Sequence, residues 1–309
     1  MQILIANSRH QVTEEEKCLV RSGKDKGMKK FSKPLIISNF LEEVDKIIDS
    51  CQFGLMKCWG CWIYFLYLCG NLTIIMEKKK KIVFLTGAGI SAESGLSTFR
   101  DSDGLWENHR VEDVASIEGW WRNPELMLDF YNERRRGLGQ CVPNSAHKAI
   151  AMLEEWYDVV VVTQNVDDLH ERGGSSNVIH LHGELCKVCS SLDKESHICS
   201  VPYDHAVRMG DLAPDGSQLR PYIVWFGEAV PMIERAFEEV ASADIFVVVG
   251  TSLQVQPAAS LVMVSRAERN FIIDPNIPKI ALGDAGIEVI QAKATEGMRR
   301  LVEILNTEN

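Results

Sequence analysis

The sequence predicts an α/β protein built on a mainly parallel sheet with helices on both faces. Three observations support this prediction. From Lys81 onward, short β-branched runs alternate with amphipathic helical stretches, which is the order that a parallel sheet requires. A glycine-rich turn directly follows the first of these runs. The 309 residues are 46% hydrophobic and 25% charged, which is typical of a globular protein and excludes collagen-like, coiled-coil and wholly disordered classes.

The individual elements follow from the same pattern. The predicted strands are short runs rich in valine, isoleucine and aromatic residues, at 82–86, 159–163, 222–226, 245–249, 271–273 and 288–290. The predicted helices lie between them, at 124–138, 145–156, 231–241, 257–268 and 295–305. Two stretches interrupt the alternation, at about 97–157 and 184–221, and we interpret them as insertions into the core.

The composition changes near residue 77. Residues 1–76 carry 10 basic and 8 acidic residues, although the whole chain has a formal net charge of −10. They also hold five of the nine cysteines and show little periodicity. We interpret residues 1–76 as a leader, disordered or produced by a start codon placed too early, and residues 77–309 as the functional domain. An uncharged stretch at 58–76, followed by lysines, leaves a membrane anchor as the alternative.

Charge and cysteine usage narrow the function classes. The acidic balance argues against sequence-independent binding of nucleic acid, which needs a basic face. Only four cysteines fall within residues 77–309, which suggests no disulfide framework and a reducing, cytoplasmic location.

A phosphate-binding turn is predicted where the run 82–86 ends. A strand, a glycine turn and a helix start together bring free backbone N–H groups against a pyrophosphate. Gly87 permits the tight turn, Gly89 leaves room for the phosphate, and Ala92 is small enough for close packing. This G-x-G-x-x-A spacing predicts a Rossmann-like sheet that binds a dinucleotide. The acidic residue that a dehydrogenase places about 20 residues later is missing from the sequence, which argues against ordinary hydride transfer.

Five ordered motifs resemble the signature of sirtuins, the NAD-dependent protein lysine deacylases. They read GAGIS with a later FR, TQNVDDLH, HG, VWFGE and GTS, within residues 87–100, 163–170, 182–183, 224–228 and 250–252. The resemblance covers residues 81–309. It implies that NAD is a consumed co-substrate, that the two insertions form a smaller domain, and that an acylated protein lysine meets NAD in the cleft between the domains.

The resemblance also assigns the catalytic residues. In sirtuins the acyl oxygen of the substrate displaces nicotinamide, and a histidine then deprotonates a ribose hydroxyl. His182 takes that role here, and histidine suits it because its ordinary pKa lies near neutral pH. Gln164, Asn165, Val166 and Asp167 are assigned to the nicotinamide end, and Asn165 and Asp167 count as catalytic. His180 is interpreted as structural.

Further contacts follow by resemblance. Gly250, Thr251 and Ser252 are expected at the adenosine ribose and phosphates, Asp274 and Asn276 are alternative adenosine contacts, and Ala294 is expected at the adenine. The remaining cofactor contacts are assigned to the glycine loop and to the segment after it, at Gly87, Ala88, Gly89, Ser91, Ala92, Phe99, Arg100 and Trp106. The strand residues Val224, Trp225, Phe226 and Gly227 are expected to hold the substrate lysine.

A pair of side chains on the helix 124–138 indicates the acyl group. Tyr131 and Arg134 are three residues apart and share a helix face, so a phenol and a guanidinium can hold one carboxylate together. One sirtuin class uses such a pair to bind succinyl and malonyl lysine. Arg135 and Arg136 are interpreted as a solvated face. We therefore predict succinyl and malonyl removal with weaker deacetylation; plain deacetylation, protein ADP-ribosylation and non-catalytic NAD sensing are the alternatives.

Zinc is doubtful. Sirtuins typically carry two Cys-x-x-Cys pairs, and Cys186 with Cys189 has the spacing of one pair. No second pair follows in the sequence, although His197 and Cys199 offer an alternative completion. We predict a metal-free version of this module.

Overall fold

The structure, a computed structural model, describes residues 19–22, 72–75, 79–97, 105–106, 109–277 and 286–307. The chain divides into two units, Met1–Lys78 and Lys79–Asn309. In the first unit, strands β1 (Leu19–Ser22) and β2 (Leu72–Ile75) pair in antiparallel orientation. The rest of the predicted leader, with most of the possible membrane segment 58–76, lies outside the described residues. None of the described helices has the length and apolar character needed to cross a membrane.

The second unit contains a six-stranded parallel sheet, which confirms the predicted fold class. Its strands lie side by side in the order β13-β12-β11-β3-β6-β7. They span Ile287–Ile290 (β13), Arg269–Ile273 (β12), Ile245–Val249 (β11), Lys81–Thr86 (β3), Asp158–Thr163 (β6) and Val178–His180 (β7). The chain moves outward from β3 to β7 and then returns to β11 on the other side of β3. The carboxyl ends of β3 and β11 are therefore a topological switch point, where such sheets bind ligands.

Helices cover both faces of this sheet because successive strand residues point to opposite sides. Ile82 and Phe84 of β3 pack in one cluster, with α1 (Ala88–Ser91), α5 (Ser145–Met152) and α9 (Ala294–Asn306). Val83 and Leu85 pack in the opposite cluster, with α7 (Ile233–Ala241) and α8 (Leu261–Val264). Because α5 belongs to the sheet core, the predicted end of the first insertion at residue 157 is too late.

The smaller domain contains a three-stranded antiparallel sheet in the order β10-β8-β9, formed by Leu219–Ile223, Gly183–Ser190 and Cys199–Ser200. Three helices pack with it, namely α2 (Val111–Val114), α3 (Ile117–Arg122) and α4 (Pro124–Leu138). The predicted parallel strand 222–226 is wrong, since β10 pairs in antiparallel orientation with β8. The remaining described strands and α-helices are a short antiparallel pair, β4 (Leu105–Trp106) with β5 (His109–Arg110), and α6 (Leu169–Gly173).

Arg135 fixes α4 in this domain. The solvated face predicted for it is wrong, because the side chain is fully buried. Its Nε donates to the Leu185 carbonyl at 2.8 Å, and Nη1 donates to the His205 carbonyl at 2.8 Å and to Asn132 Oδ1 at 3.1 Å. Arg136, one residue later, is exposed as predicted. Arg135 therefore ties the helix that carries Tyr131 and Arg134 to strand β8 and to the loop after β9.

Candidate active site

A cavity of about 1150 Å³ lies at the carboxyl ends of β3, β6 and β11 and extends to the smaller domain. Almost all predicted site residues line it, namely Gly87, Ala88, Gly89, Ser91, Ala92, Tyr131, Arg134, Gln164, Asn165, Val166, Asp167, His182, Val224, Trp225, Phe226, Gly227, Gly250, Thr251, Ser252, Asp274, Asn276 and Ala294. Phe99 and Arg100 lie outside the described residues, and Trp106 is described only as part of β4. The fold thus gathers residues from distant parts of the sequence around one space.

The glycine loop closes against the loop after β11. Gly87 N–H donates to the Val249 carbonyl at 3.1 Å, and Gly89 N–H donates to the Gly250 carbonyl at 2.8 Å. A Cβ on Gly89 would lie 2.7 Å from Gly250 Cα. Gly89 is therefore needed for the close approach of two backbones, and its N–H is already bonded to Gly250. The room that it was expected to leave for a phosphate stays a prediction. The packing role predicted for Ala92 is also wrong, because that residue is exposed.

Ser91 joins the two residues predicted at the nicotinamide end. Its Oγ donates to Asp167 Oδ2 at 3.0 Å and accepts from Asn165 Nδ2 at 3.1 Å. Leu169 N–H donates to the other Asp167 oxygen at 3.1 Å. Burial raises the pKa of Asp167, and these hydrogen bonds oppose the increase. The network holds a buried amide and a buried carboxylate in fixed orientations on the cavity wall.

Two buried histidines lie behind this network, and the sequence analysis assigned them no role. Thr86 Oγ1 is 3.0 Å from His170 Nε2, and Ser91 Oγ is 3.5 Å from His147 Nε2. The two imidazole rings pack edge to face with centres 4.9 Å apart. Burial lowers the pKa of His147 to about 4 and lowers that of His170 well below its ordinary value. The sequence signal for His170 was its place at the end of the motif TQNVDDLH, whereas His147 had only its place in the first turn of a predicted helix.

His182 is held in one tautomer. Its Nδ1 lies 2.9 Å from the carbonyl oxygen of Gln164, and since a carbonyl only accepts, Nδ1 carries the proton. The neutral ring then has its lone pair on Nε2. Burial lowers the pKa of His182 below its ordinary value, although the Gln164 hydrogen bond opposes the decrease. The imidazole is therefore neutral and able to accept a proton at neutral pH.

His180 connects the loop after β6 with α6. Its Nδ1 is 3.1 Å from the Asn165 carbonyl, and its Nε2 is 2.7 Å from Glu171 Oε1. Burial lowers the pKa of His180, but the hydrogen bond and the charge of Glu171 raise it by more. These contacts agree with its structural interpretation.

The residues predicted to contact adenosine lie where β11 and β12 end. Gln164 Nε2 donates to Thr251 Oγ1 at 2.9 Å and joins the loops after β6 and β11. Asp274 is buried, and its Oδ1 accepts from the Asn276 backbone N–H at 2.7 Å. The Asn276 side chain is exposed. Of the two alternatives, Asn276 thus presents its side chain outward, whereas Asp274 shapes the turn.

The far end of the cavity lies against α4. Tyr131 is fully buried, and its hydroxyl accepts from Trp225 Nε1 at 2.9 Å. The Arg134 guanidinium lies 5.7 Å from the centre of the Phe130 ring. Trp225 is 2% exposed, whereas Phe226 is 45% exposed. Both side chains line the cavity, the Trp225 ring mostly packed within the smaller domain, and their contact with a substrate lysine stays a prediction.

The possible zinc ligands are not gathered into a site. Among the described residues, no cluster contains three or more histidine, cysteine or acidic side chains in position to hold a metal, and Cys186, Cys189, His197 and Cys199 are all described. Burial raises the pKa values of the Cys186 and Cys189 thiols to about 12. His197 instead lies 3.9 Å from Asp215.

Sequence comparison places these features among known proteins. The model of the Sir2 family matches residues 87–257. A Bacteroides thetaiotaomicron protein named NAD-dependent protein deacylase is 52% identical over 230 residues, which are 73% of this chain and 98% of that protein. A Helicobacter pylori protein of the same name is 50% identical over 224 residues, covering 72% of this chain and 96% of that protein.

Solved structures agree with this match. A mutant Sir2 homologue in complex with ADP-ribose is 39% identical with a TM-score of 0.66, covering 74% of this chain and 93% of that chain. A complex of a Sir2 homologue with NAD is 40% identical with a TM-score of 0.65, covering 74% and 91%. A complex of Sir2 with a p53 peptide and NAD⁺ is 29% identical with a TM-score of 0.61, covering 79% and 98%.

Proposed function

The chain belongs to the Sir2 family and is an NAD-dependent protein deacylase of the sirtuin type, and from this premise we propose that it prefers lysines carrying succinyl or malonyl groups. Acetyl lysine is the poorer substrate in this proposal. The supporting observation is that Tyr131 and Arg134 line the same cavity as His182.

The chemistry of the pair suits an acidic acyl group. A guanidinium is always charged and binds a carboxylate through charge-assisted hydrogen bonds, and a phenol can donate one more. Tyr131 and Arg134 are close enough that the charge of Arg134 lowers the pKa of Tyr131, against the larger opposite effect of burial. Succinyl and malonyl groups end in a carboxylate, whereas an acetyl group offers nothing for the guanidinium to bind.

The size of the cavity supports binding of NAD together with an acylated lysine. Its volume of about 1150 Å³ exceeds the roughly 300–1,000 Å³ that is usual for a pocket holding one drug-sized ligand. Asn165 and Asp167 offer an amide and a carboxylate to ribose hydroxyls and to a carboxamide, and Thr251 and Asn276, which we assign to adenosine, line the same cavity. NAD supplies the ribose carbon that loses nicotinamide and takes up the acyl oxygen. No residue of the chain has to form a covalent bond.

His182 is the proposed base. The Gln164 carbonyl fixes Nδ1–H, so Nε2 accepts the proton of a ribose hydroxyl while the ring keeps its orientation. Ser91 holds Asn165 and Asp167 beside that reaction. The proposed products are nicotinamide, the free lysine and O-acyl-ADP-ribose, and detection of the last separates deacylation from ADP-ribosylation of a protein.

The substitution Arg134→Met tests the acyl preference. Loss of a charge-assisted hydrogen bond of about 1.5–3 kcal/mol predicts that kcat/KM for a succinyl peptide falls roughly 10- to 100-fold. The acetyl peptide should lose far less. Arg136→Met is the matched control, since it makes the same chemical change at an exposed position of the same helix. Equal losses on both peptides in the Arg134 variant would contradict the proposal.

Two further expectations belong to this proposal. The described cysteines Cys141, Cys186, Cys189 and Cys199 are free thiols, which supports a cytoplasmic location. The described residues gather no three histidine, cysteine or acidic side chains around one point, which supports a metal-free smaller domain. The physiological partners would be proteins with acylated lysines.

A further inference from the structure

The hydrogen bond between Tyr131 and Trp225 determines whether the Tyr131 hydroxyl can donate or accept a hydrogen bond toward the cavity. The indole N–H can only donate, so the Tyr131 oxygen is the acceptor in the 2.9 Å contact. The hydroxyl proton must then point elsewhere. Within the described part of the chain, Tyr131 makes no hydrogen bond as a donor. Since Tyr131 lines the cavity, its proton remains available to a group bound there.

Arg220 and Glu228 fix the position of Trp225. The Arg220 guanidinium lies 3.5 Å from the centre of the indole ring. Arg220 donates to both oxygens of Glu228, at 2.7 and 3.0 Å, and Glu228 Oε2 accepts from the Trp225 backbone N–H at 2.9 Å. Arg220 and Trp225 are 3% and 2% exposed. The indole therefore has one orientation, which directs its N–H to the Tyr131 oxygen.

We propose that Trp225 is a positioning residue for acyl selection, because it makes the Tyr131 hydroxyl a donor toward the carboxylate of a succinyl or malonyl group. The inference rests on the proposed function. Without the indole, the phenol proton can turn to the other side and leave an oxygen lone pair facing the carboxylate, which is repulsive. A neutral acetyl group has no carboxylate and is insensitive to this choice.

Burial also keeps the Tyr131 hydroxyl protonated. The pKa of the phenol is raised far above its ordinary value, chiefly because the side chain is removed from water. The hydroxyl consequently keeps its proton throughout the pH range in which the enzyme can be assayed. The proton that Trp225 orients is thus always present.

A double-mutant cycle in the full-length chain tests this inference. The variants are Trp225→Phe, which keeps a ring for Arg220 but removes the N–H, Tyr131→Phe, and the combination. The measured quantity is the ratio of kcat/KM for a succinyl peptide to kcat/KM for the acetyl peptide of the same sequence. We expect each single variant to lower this ratio on the order of tenfold, the usual size for a lost hydrogen bond to a charged group. Most of the change should appear in KM for the succinyl peptide.

The double-mutant cycle distinguishes the positioning role of Trp225 from the proposed preference for succinyl and malonyl groups. If Trp225 acts through the Tyr131 hydroxyl, the double variant has the same ratio as Tyr131→Phe alone. Multiplied effects, or an unchanged ratio in Trp225→Phe with a lowered one in Tyr131→Phe, would overturn the role of Trp225 and leave the proposed function intact. An unchanged ratio in both Tyr131→Phe and Arg134→Met would instead refute the proposed function.

A control variant and an indole analogue distinguish loss of the Trp225 N–H from misfolding. Trp120→Phe alters the indole that packs 5.3 Å from Trp225, and the ratio should stay unchanged. If Trp225→Phe does not fold, site-specific incorporation of benzothienylalanine at position 225 keeps the ring shape and replaces the N–H with sulfur. A ratio equal to that of the natural protein in this variant would overturn the inference.

Discussion

Three consecutive arginines of α4 lie in three different environments, and the middle one gives a sharp prediction about stability. Arg135→Met removes a buried guanidinium that makes three hydrogen bonds, two of them to the carbonyls of Leu185 and His205. Each bond contributes roughly 1 kcal/mol net to stability. The free energy of unfolding should therefore fall by about 3 kcal/mol, since methionine fills most of the volume but bonds neither carbonyl.

Urea unfolding of the full-length protein measures this difference through the transition midpoint at unchanged slope. Arg136→Met is the control and should change the free energy of unfolding by less than about 0.5 kcal/mol, as expected for an exposed position. A loss in Arg135→Met no larger than that of the control would refute the view that this side chain ties α4 to the smaller domain. Because α4 also carries Tyr131, the Arg135 variant should raise KM for succinyl peptide as well.

Four further predictions follow from the described site. Gly89→Ala should raise KM for NAD at least tenfold, a typical cost of about 1.4 kcal/mol or more, because the new Cβ would meet Gly250 at 2.7 Å; Gly286→Ala, with open space around it, is the control and should leave KM unchanged. Since burial lowers the pKa of His182, the acid limb of kcat/KM should lie below the ordinary histidine value, and a limb above pH 7 would contradict its role as the base. His147 has a pKa lowered to about 4, so the unfolded chain takes up the proton first and the native state loses about 3 kcal/mol as pH falls from 6.5 toward 4. Urea titrations at a series of pH values measure this loss, and His147→Gln should flatten it, whereas an unchanged pH dependence would argue against a buried neutral imidazole. Metal analysis of the purified protein should give well below one zinc per chain, and a stoichiometric value would show that the prediction of a metal-free module is wrong.

The parallel sheet was predictable because its strands are buried on both faces. Runs such as 82–86 and 245–249 are nearly all apolar and β-branched, and the structure places β3 and β11 there. The strand β7 was missed because Val178–His180 is only three residues long. The run 222–226 gave a false strand of the parallel sheet. Its apolar residues are buried instead in the core of the smaller domain, and apolar content alone does not distinguish the two environments.

The sequence predicts which residues line the cavity, but it does not predict the contacts that position them. Motif spacing identified Gly89, yet only the structure shows that its missing Cβ admits the Gly250 backbone. The helical spacing of Tyr131 and Arg134 predicts a shared face, and both line the cavity. The same spacing gives no indication that Arg135 turns inward, since its partners are carbonyl groups 50 and 70 residues away. Contacts between distant backbone atoms leave no pattern in a single sequence.

The central claim is that Tyr131 and Arg134 make this NAD-dependent deacylase selective for acidic acyl groups. The most direct test measures kcat/KM of the full-length protein on succinyl, malonyl and acetyl forms of one peptide, with NAD and with mass detection of O-acyl-ADP-ribose. The account predicts that the succinyl and malonyl peptides exceed the acetyl peptide by about tenfold or more, the size of one charge-assisted hydrogen bond, with O-succinyl-ADP-ribose as a product. An acetyl value equal to or above the succinyl value would contradict it.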